Sequence, residues 1–302
     1  MGWIAILAVA AAAATPGATP PVPVDQLWRS RPAVSFIEGD AIHLYGQLYD
    51  DMLEPLREQL RHAPVQLRQL RVASPGGDAL VGLAVGELVR QYGLEVVVVP
   101  PGCGSACASY VFTGATRKVI SPGAVVVWHN SCPSAALEDP RVVAAHLRRQ
   151  LADGFGFMRG GDDAAGYPAH QIDAWAVQLA DYARQMRTAH ARFFAGTGID
   201  GRGVCLEDHL DLPDVPADRF SYSYTLSVAD MERMGICNVQ APADYTEQAA
   251  RFFASRGRSA DSGVVSLAGH PRFVPLHPPG YCAADAGGPA PRDRTGGVDA
   301  GP

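Results

Sequence analysis

Residues 94–99 have the sequence Leu-Glu-Val-Val-Val-Val, and the four consecutive valines show no alternation of apolar and polar side chains. Such a run is typical of a β-strand buried on both faces, as in parallel sheets with both sides covered. Apolar runs also predict strands at 41–45, 67–73, 117–120 and 124–128. Apolar residues at helical spacing over 50–62 and 78–92 predict helices between them. The alternation predicts an α/β fold in which repeated β-α-β units build a mainly parallel sheet.

The pattern becomes helical after residue 133. Helical spacing of apolar residues covers 140–151 and 171–194, and a glycine-rich stretch at 154–161 separates the two. We expect these helices to form an arm or insertion beside the sheet, over 134–200.

The predicted domain covers 34–240, because the flanking segments differ from it in composition. A Pro-rich linker at 19–33 precedes the domain. The segment 241–302 is predicted to be a C-terminal tail that is mostly disordered, because beyond about residue 255 the chain is rich in Gly, Pro and Ala with little periodicity.

The first 18 residues are typical of a signal peptide. An apolar run at 4–14 is too short for a spanning helix, and the small residues after it offer cleavage sites that would leave Thr15 or Thr19 first. The positions before the run hold no Lys or Arg, so an uncleaved membrane anchor or a misassigned start is the alternative. We expect a periplasmic or secreted protein.

Charge and motif spacing exclude several functions. The net charge of −6 at pH 7 gives no electrostatic basis for nucleic-acid binding. A Schiff base or a Ser–Lys dyad would need Lys118, the chain's single lysine, which lies before a predicted strand. The segment 102–107 is similar to the Gly-rich turn of a dinucleotide-binding site but ends in Cys, where that turn has Gly. The cysteine spacing lacks the second C-x2-C that a structural zinc site would have. We expect no cofactor and no metal.

The six cysteines fit an exported protein, because disulfides persist in oxidising compartments. Their connectivity is open from the sequence. The compact segment between Cys205 and Cys237 favours a disulfide that closes a loop of about 30 residues. Cys103 and Cys107 are expected to be buried or disulfide-bonded, and the alternative is a reactive thiol.

The turn after the valine-rich strand carries the first candidate for chemistry. In the sequence Gly-Cys-Gly-Ser-Ala-Cys, Ser105 stands where a strand ends and a helix begins. Open α/β sheets form their sites at this end of the strands, and N–H groups at a helix start favour negative charge. The position suits a nucleophile whose substrate develops an oxyanion. The structural alternative is a helix N-cap, for which Ser is a preferred residue.

His129 follows 24 residues later, at the end of the next predicted buried strand. A neighbouring imidazole would supply the general base that a serine nucleophile needs. Gly76 and Gly77 stand at another strand–helix turn, where the backbone can approach a substrate and offer N–H donors. The structural alternatives are a core histidine and two turn glycines.

These three motifs together resemble the ClpP/crotonase superfamily. They are Ser74-Pro75-Gly76-Gly77, then Gly-x-Gly-Ser-Ala-Cys-Ala before a helix, then the histidine. The chain is most similar to exported, ATPase-independent ClpP-like bacterial proteins with a Cys-x-Ser-Ala-Cys motif. The resemblance covers 40–130, with weaker agreement at 219–240.

The resemblance implies a ClpP/crotonase-like fold and an ATP-independent serine peptidase. Its partner would be a peptide or protein substrate, with no ATPase partner, and the helical arm would assemble a homo-oligomer. Carried over by position, Ser105 would be the nucleophile and His129 the base. The N–H groups of Gly77 and Ala106 would form the oxyanion hole.

The acid of the family's triad has no clear counterpart. Its position here holds Tyr222 or Ser223, and the nearest upstream carboxylate is Asp218. Three alternatives follow: Asp218 completes a triad, the site is a Ser–His dyad, or the site is impaired. In the last case the chain is a scaffold or interaction protein. A crotonase-like acyl-CoA enzyme is a further alternative, which export disfavours.

Overall fold

A seven-stranded sheet carries the core of the protein. The computed structural model describes residues 24–129, 135–152, 168–195, 197–204, 223–255, 263–266, 277 and 281–284. The strands of the sheet are β1 (Val34–Glu38), β2 (Ala41–Tyr45), β3 (Gln69–Ser74), β4 (Glu95–Gly104), β5 (Lys118–Ile120), β6 (Val125–Val127) and β8 (Val239–Gln240). β7 (Thr225–Leu226) and β9 (Val264–Val265) form a separate parallel pair.

The sheet is mainly parallel. Its strand order is β1-β2-β3-β4-β5-β8, and β6 pairs with β4 beside that path. Only β1 and β2 are antiparallel within this sheet, and its other pairs are parallel. The predicted α/β class and mainly parallel sheet are therefore confirmed, and β1 is a strand that the sequence pattern did not predict.

Helices cover the sheet and extend beyond it. They are α1 (Val24–Leu27), α2 (Asp50–Arg61), α3 (Ala79–Gln91), α4 (Pro140–Ala152), α5 (Ala169–Phe194), α6 (Val228–Arg233), α7 (Tyr245–Ala254) and α8 (Tyr281–Ala284). A π-helix spans Cys107–Phe112, and 3-10 turns span Ala135–Glu138 and Gly201–Val204. Within the described residues, no helix combines the length and apolar character that a bilayer span requires.

β4 is buried on both faces, as its valines predict. Val96 and Val98 pack into the main apolar cluster with α2 and α3. Val97 and Val99 point to the other face and pack with Leu27 of α1. The strand is also long enough to serve two neighbours, since its first half pairs with β5 and its second half with β6.

The predicted helical insertion at 134–200 contains α4 and α5. The two helices share a small apolar cluster of Val143, Ala144, Ala176 and Ala180. The C-terminal half of α5 lies against α3, and the hydroxyl of Tyr182 donates a hydrogen bond to the Asp78 carboxylate at 3.1 Å. The insertion is thus anchored to the core next to the glycine turn.

Both flanks of the predicted domain are partly folded. Within the predicted linker at 19–33, α1 forms because Leu27 is buried against the second sheet face. Within the predicted tail at 241–302, α7 forms because Tyr245, Ala249 and Phe253 are buried along one side. The predicted tail therefore contains a helix near its start, which the sequence pattern did not indicate. The predicted signal peptide at 1–18 lies outside the described residues.

The predicted Cys205–Cys237 disulfide is wrong. Cys237 is bonded to Cys282, 45 residues further along the chain. Cys237 pairs with Cys282 because α8 packs back against the core. No local pattern in the sequence indicates this packing. Cys103 and Cys107 form a second disulfide, which is one of the states expected for them.

Candidate active site

Ser105 occupies a strained turn between β4 and the π-helix. Its φ is +52°, and Asn238 is the only other described non-glycine residue with a positive φ. The Ser105 N–H donates to the Val127 carbonyl at 2.8 Å, and its own carbonyl accepts from the Ser109 N–H at 2.8 Å. An N-cap has an extended backbone, so the left-handed Ser105 does not fit that alternative. Strained backbone of this kind persists only where its surroundings enforce it.

A disulfide encloses this turn. Cys103 and Cys107 are bonded across Ser105 with their Cα atoms 5.4 Å apart, and both are fully buried. β4 continues to Gly104 and the helix starts only after Ser105, so the serine lies between the two elements. The disulfide removes both thiols, so the structure does not support the alternative of a cysteine nucleophile.

Two glycines of α3 allow the π-helix to approach closely. A Cβ at Gly82 would lie 2.8 Å from the Ala106 Cβ, and one at Gly86 would lie 2.6 Å from the Tyr110 carbonyl oxygen. On its other side, the Tyr110 hydroxyl hydrogen-bonds His190 of α5 at 3.2 Å. Burial lowers the pKa of His190 to about 4, so this ring is neutral near pH 7. The helix after Ser105 is therefore held from two sides.

The glycine turn after β3 lies directly against Ser105. Gly76 has a φ of +95°, and a Cβ there would lie 2.5 Å from the Ser105 Cβ and 2.9 Å from the Ala106 nitrogen. The chain segment before α2 holds this turn in place, because the Leu48 N–H donates to the Gly76 carbonyl at 2.8 Å. The structure therefore brings together the first two sequence motifs.

The two N–H groups predicted to form an oxyanion hole both belong to this junction. The N–H of Gly77 has no acceptor among the described residues, although its neighbours Gly76 and Asp78 both bond Leu48. The N–H of Ala106 belongs to the first turn of a helix, where such groups have no acceptor within the helix. Because Gly76 has no Cβ, no side chain fills the space beside the Ala106 nitrogen.

His129 lies at the same edge of the sheet as Ser105. β4 and β6 are parallel neighbours with Gly104 opposite Val127. Ser105 is the first residue after β4, and His129 is the second after β6. The predicted nucleophile and base thus follow the carboxyl ends of two adjacent strands, and the His129 side chain is partly exposed.

The strand that carries His129 is fixed from its far side. The Tyr245 hydroxyl of α7 accepts from the Val126 N–H at 3.3 Å and bonds the Thr225 hydroxyl at 2.9 Å. Burial raises the pKa of Tyr245 to about 12, so this hydroxyl keeps its proton at neutral pH. The sequence pattern does not indicate a role for Tyr245, which falls within the predicted C-terminal tail.

The backbone register beside His129 shows which residue lies opposite it. Trp128 and Tyr224 exchange two backbone hydrogen bonds, at 2.8 and 2.9 Å, as an antiparallel pair. The next residue on each side is then His129 opposite Ser223, so a serine stands nearest in register. Asp218, the predicted acid, lies outside the described residues.

Comparison with known proteins gives little independent information. No family model matches the chain, and no curated protein matches it. Among solved structures, the chain is similar to a mutant of ClpP1 from Listeria monocytogenes, at 16% identity over 48% of this chain and 87% of that one. The TM-score is 0.28, so the interpretation of the site depends on the geometry of this chain alone.

Proposed function

We propose that the chain is an exported, ATP-independent serine hydrolase with a ClpP/crotonase-like core, which cleaves peptide bonds. The observation that carries this proposal is the left-handed turn at Ser105, packed against Gly76 and one strand away from His129. The two disulfides among the described residues support export, because such bonds persist in oxidising compartments.

In the proposed reaction, Ser105 Oγ attacks the peptide carbonyl carbon while His129 takes the hydroxyl proton. The N–H groups of Gly77 and Ala106 stabilise the negative oxygen of the tetrahedral intermediate. His129 then gives its proton to the leaving amine as the C–N bond breaks. Water, activated by the same imidazole, hydrolyses the acyl-enzyme and restores the Ser105 hydroxyl.

One observation favours a second candidate, a catalytically impaired scaffold or interaction protein. The residue in register with His129 is Ser223, which stands where the family that the chain resembles has the acid of its triad. A working enzyme would then be a dyad, or would take its acid from Asp218.

A fluorophosphonate probe separates the two candidates. The probe forms a bond between phosphorus and the serine oxygen, with loss of fluoride, only at an activated serine. We expect labelling of the wild type at Ser105, located by mass spectrometry, and none of Ser105→Ala. A folded wild type that takes up no probe would favour the scaffold.

A further inference from the structure

The Cys103–Cys107 disulfide closes a ring around the candidate nucleophile. It joins the last part of β4 to the first residue of the π-helix and encloses Gly104, Ser105 and Ala106. We propose that this disulfide is a positioning group, which holds Ser105 and the Ala106 N–H in their reactive geometry. This inference rests on the proposed serine hydrolase function.

The backbone at Ser105 is strained, and the disulfide would restrain it in that conformation. A positive φ is unfavourable for any residue with a Cβ, and the contact with Gly76 leaves no space for the turn to shift in that direction. Two backbone hydrogen bonds also hold the N–H and the carbonyl of Ser105. A covalent ring across the three enclosed residues removes most of the alternative conformations.

Both ends of the ring are rigidly anchored. Cys103 lies between two neighbouring strands, opposite Ser74 on β3 and Val126 on β6. Cys107 begins a helix that packs on α3 through Gly82. The disulfide therefore transmits the position of the sheet to the helix start, across the residue that would carry out the attack.

The size of the ring argues against a mainly global role. The two cysteines are 4 residues apart, whereas the Cys237–Cys282 disulfide spans 45. Because stabilisation by loop closure grows with loop length, the longer disulfide should contribute more to global stability. The second disulfide is thus a matched control, with a larger expected effect on stability and no contact with Ser105.

The experiment compares Cys103→Ala/Cys107→Ala with Cys237→Ala/Cys282→Ala and the wild type. It measures the rate of fluorophosphonate labelling, kcat and KM for p-nitrophenyl acetate, and Tm. For the first variant we expect labelling and kcat to fall about 100-fold with little change in KM, because transition-state geometry is lost while binding remains. The control variant should lose more Tm and keep its labelling rate.

Labelling of the folded Cys103→Ala/Cys107→Ala variant at the wild-type rate would overturn the positioning role while leaving the hydrolase proposal intact. An unlabelled wild type would overturn both. If that variant fails to fold, the wild type can be tested instead, after partial reduction by a phosphine, alkylation of the freed thiols and labelling with the probe. Mass spectrometry should then find the probe on molecules that keep the Cys103–Cys107 bond. Probe on molecules with both cysteines alkylated would refute the inference.

Discussion

At Gly76 the backbone has a φ of +95°, and an added Cβ would lie 2.6 Å from the Gly104 carbonyl oxygen as well as against Ser105. Gly76→Ala must therefore push the two turns apart. We expect fluorophosphonate labelling to fall about 100-fold, because a displacement of about 1 Å costs that much in rate.

The matched control is Gly93→Ala. Gly93 also has a positive φ, +63°, but a Cβ there would meet nothing within 4 Å. This variant should lose about 1 kcal/mol of unfolding free energy for the backbone strain alone and keep the wild-type labelling rate. Equal labelling rates for the two variants would contradict the packing role of Gly76.

Ser105 and His129 should behave as one unit. Ser105→Ala and His129→Ala should each remove nearly all esterase and peptidase activity, and the double variant should be little worse than either. Additive losses would show that the two side chains act independently. Asp218→Asn is the contrast. The substitution should lower kcat by orders of magnitude if Asp218 is the acid of a triad, and it should have little effect if Asp218 is a loop carboxylate.

At the scale of elements, α5 is tied to the start of α3 by one hydroxyl. Tyr182 donates to the Asp78 carboxylate at 3.1 Å and accepts from the Ala79 N–H at 3.2 Å. Burial and the neighbouring Asp78 raise the pKa of Tyr182 to about 12, so the hydroxyl remains a donor across the neutral range.

Tyr182→Phe removes both bonds and keeps the ring. We expect a loss of about 1 to 2 kcal/mol in unfolding free energy, measured by urea denaturation, because the Ala79 N–H loses its partner. Tyr92→Phe is the control, since the Tyr92 hydroxyl makes no hydrogen bond within the described part of the chain. A Tyr182→Phe variant as stable as this control would show that α5 docks without the hydroxyl.

At the scale of the whole molecule, the single lysine makes stability depend on pH. Lys118 is buried and donates to the carbonyls of Ala115 and Cys237, and it forms no ion pair with a carboxylate of the described residues. Burial lowers its pKa to about 7. Between pH 7 and the ordinary lysine pKa, the unfolded chain binds this proton and the folded chain does not, so stability should rise with pH.

Lys118→Met tests this linkage, because Met keeps the length of the side chain and cannot be charged. From pH 7 to 9, the unfolding free energy of the wild type should rise by a few kcal/mol relative to the variant. Urea titrations of both proteins at several pH values measure the difference. Parallel curves would show that Lys118 is charged in the folded protein.

The resemblance to ClpP-like proteins predicts a homo-oligomer that assembles through the helical arm. On that arm, Val142, Val177 and Leu179 are exposed apolar side chains. We expect light scattering to give a mass well above the 31.9 kDa of one chain. A monomer across the micromolar range would contradict the prediction.

The class of the fold and the members of the candidate site can be predicted from local patterns in the sequence. The valine run of β4 predicts a strand buried on both faces, and helical spacing predicts α2, α3 and the arm, because these patterns repeat over a few residues. The positions of Ser105, Gly76 and His129 at strand ends follow from the same local patterns, since parallel strands align their carboxyl ends.

How these residues meet depends on tertiary contacts. The positive φ of Ser105 and its contact with Gly76 depend on two turns that are 29 residues apart in the chain. The Cys237–Cys282 bond and the place of Ser223 beside His129 depend on segments that return to the core after the helical arm. Such pairings depend on the packing of segments that are distant in the chain. Local side-chain periodicity does not indicate which of these segments will be neighbours.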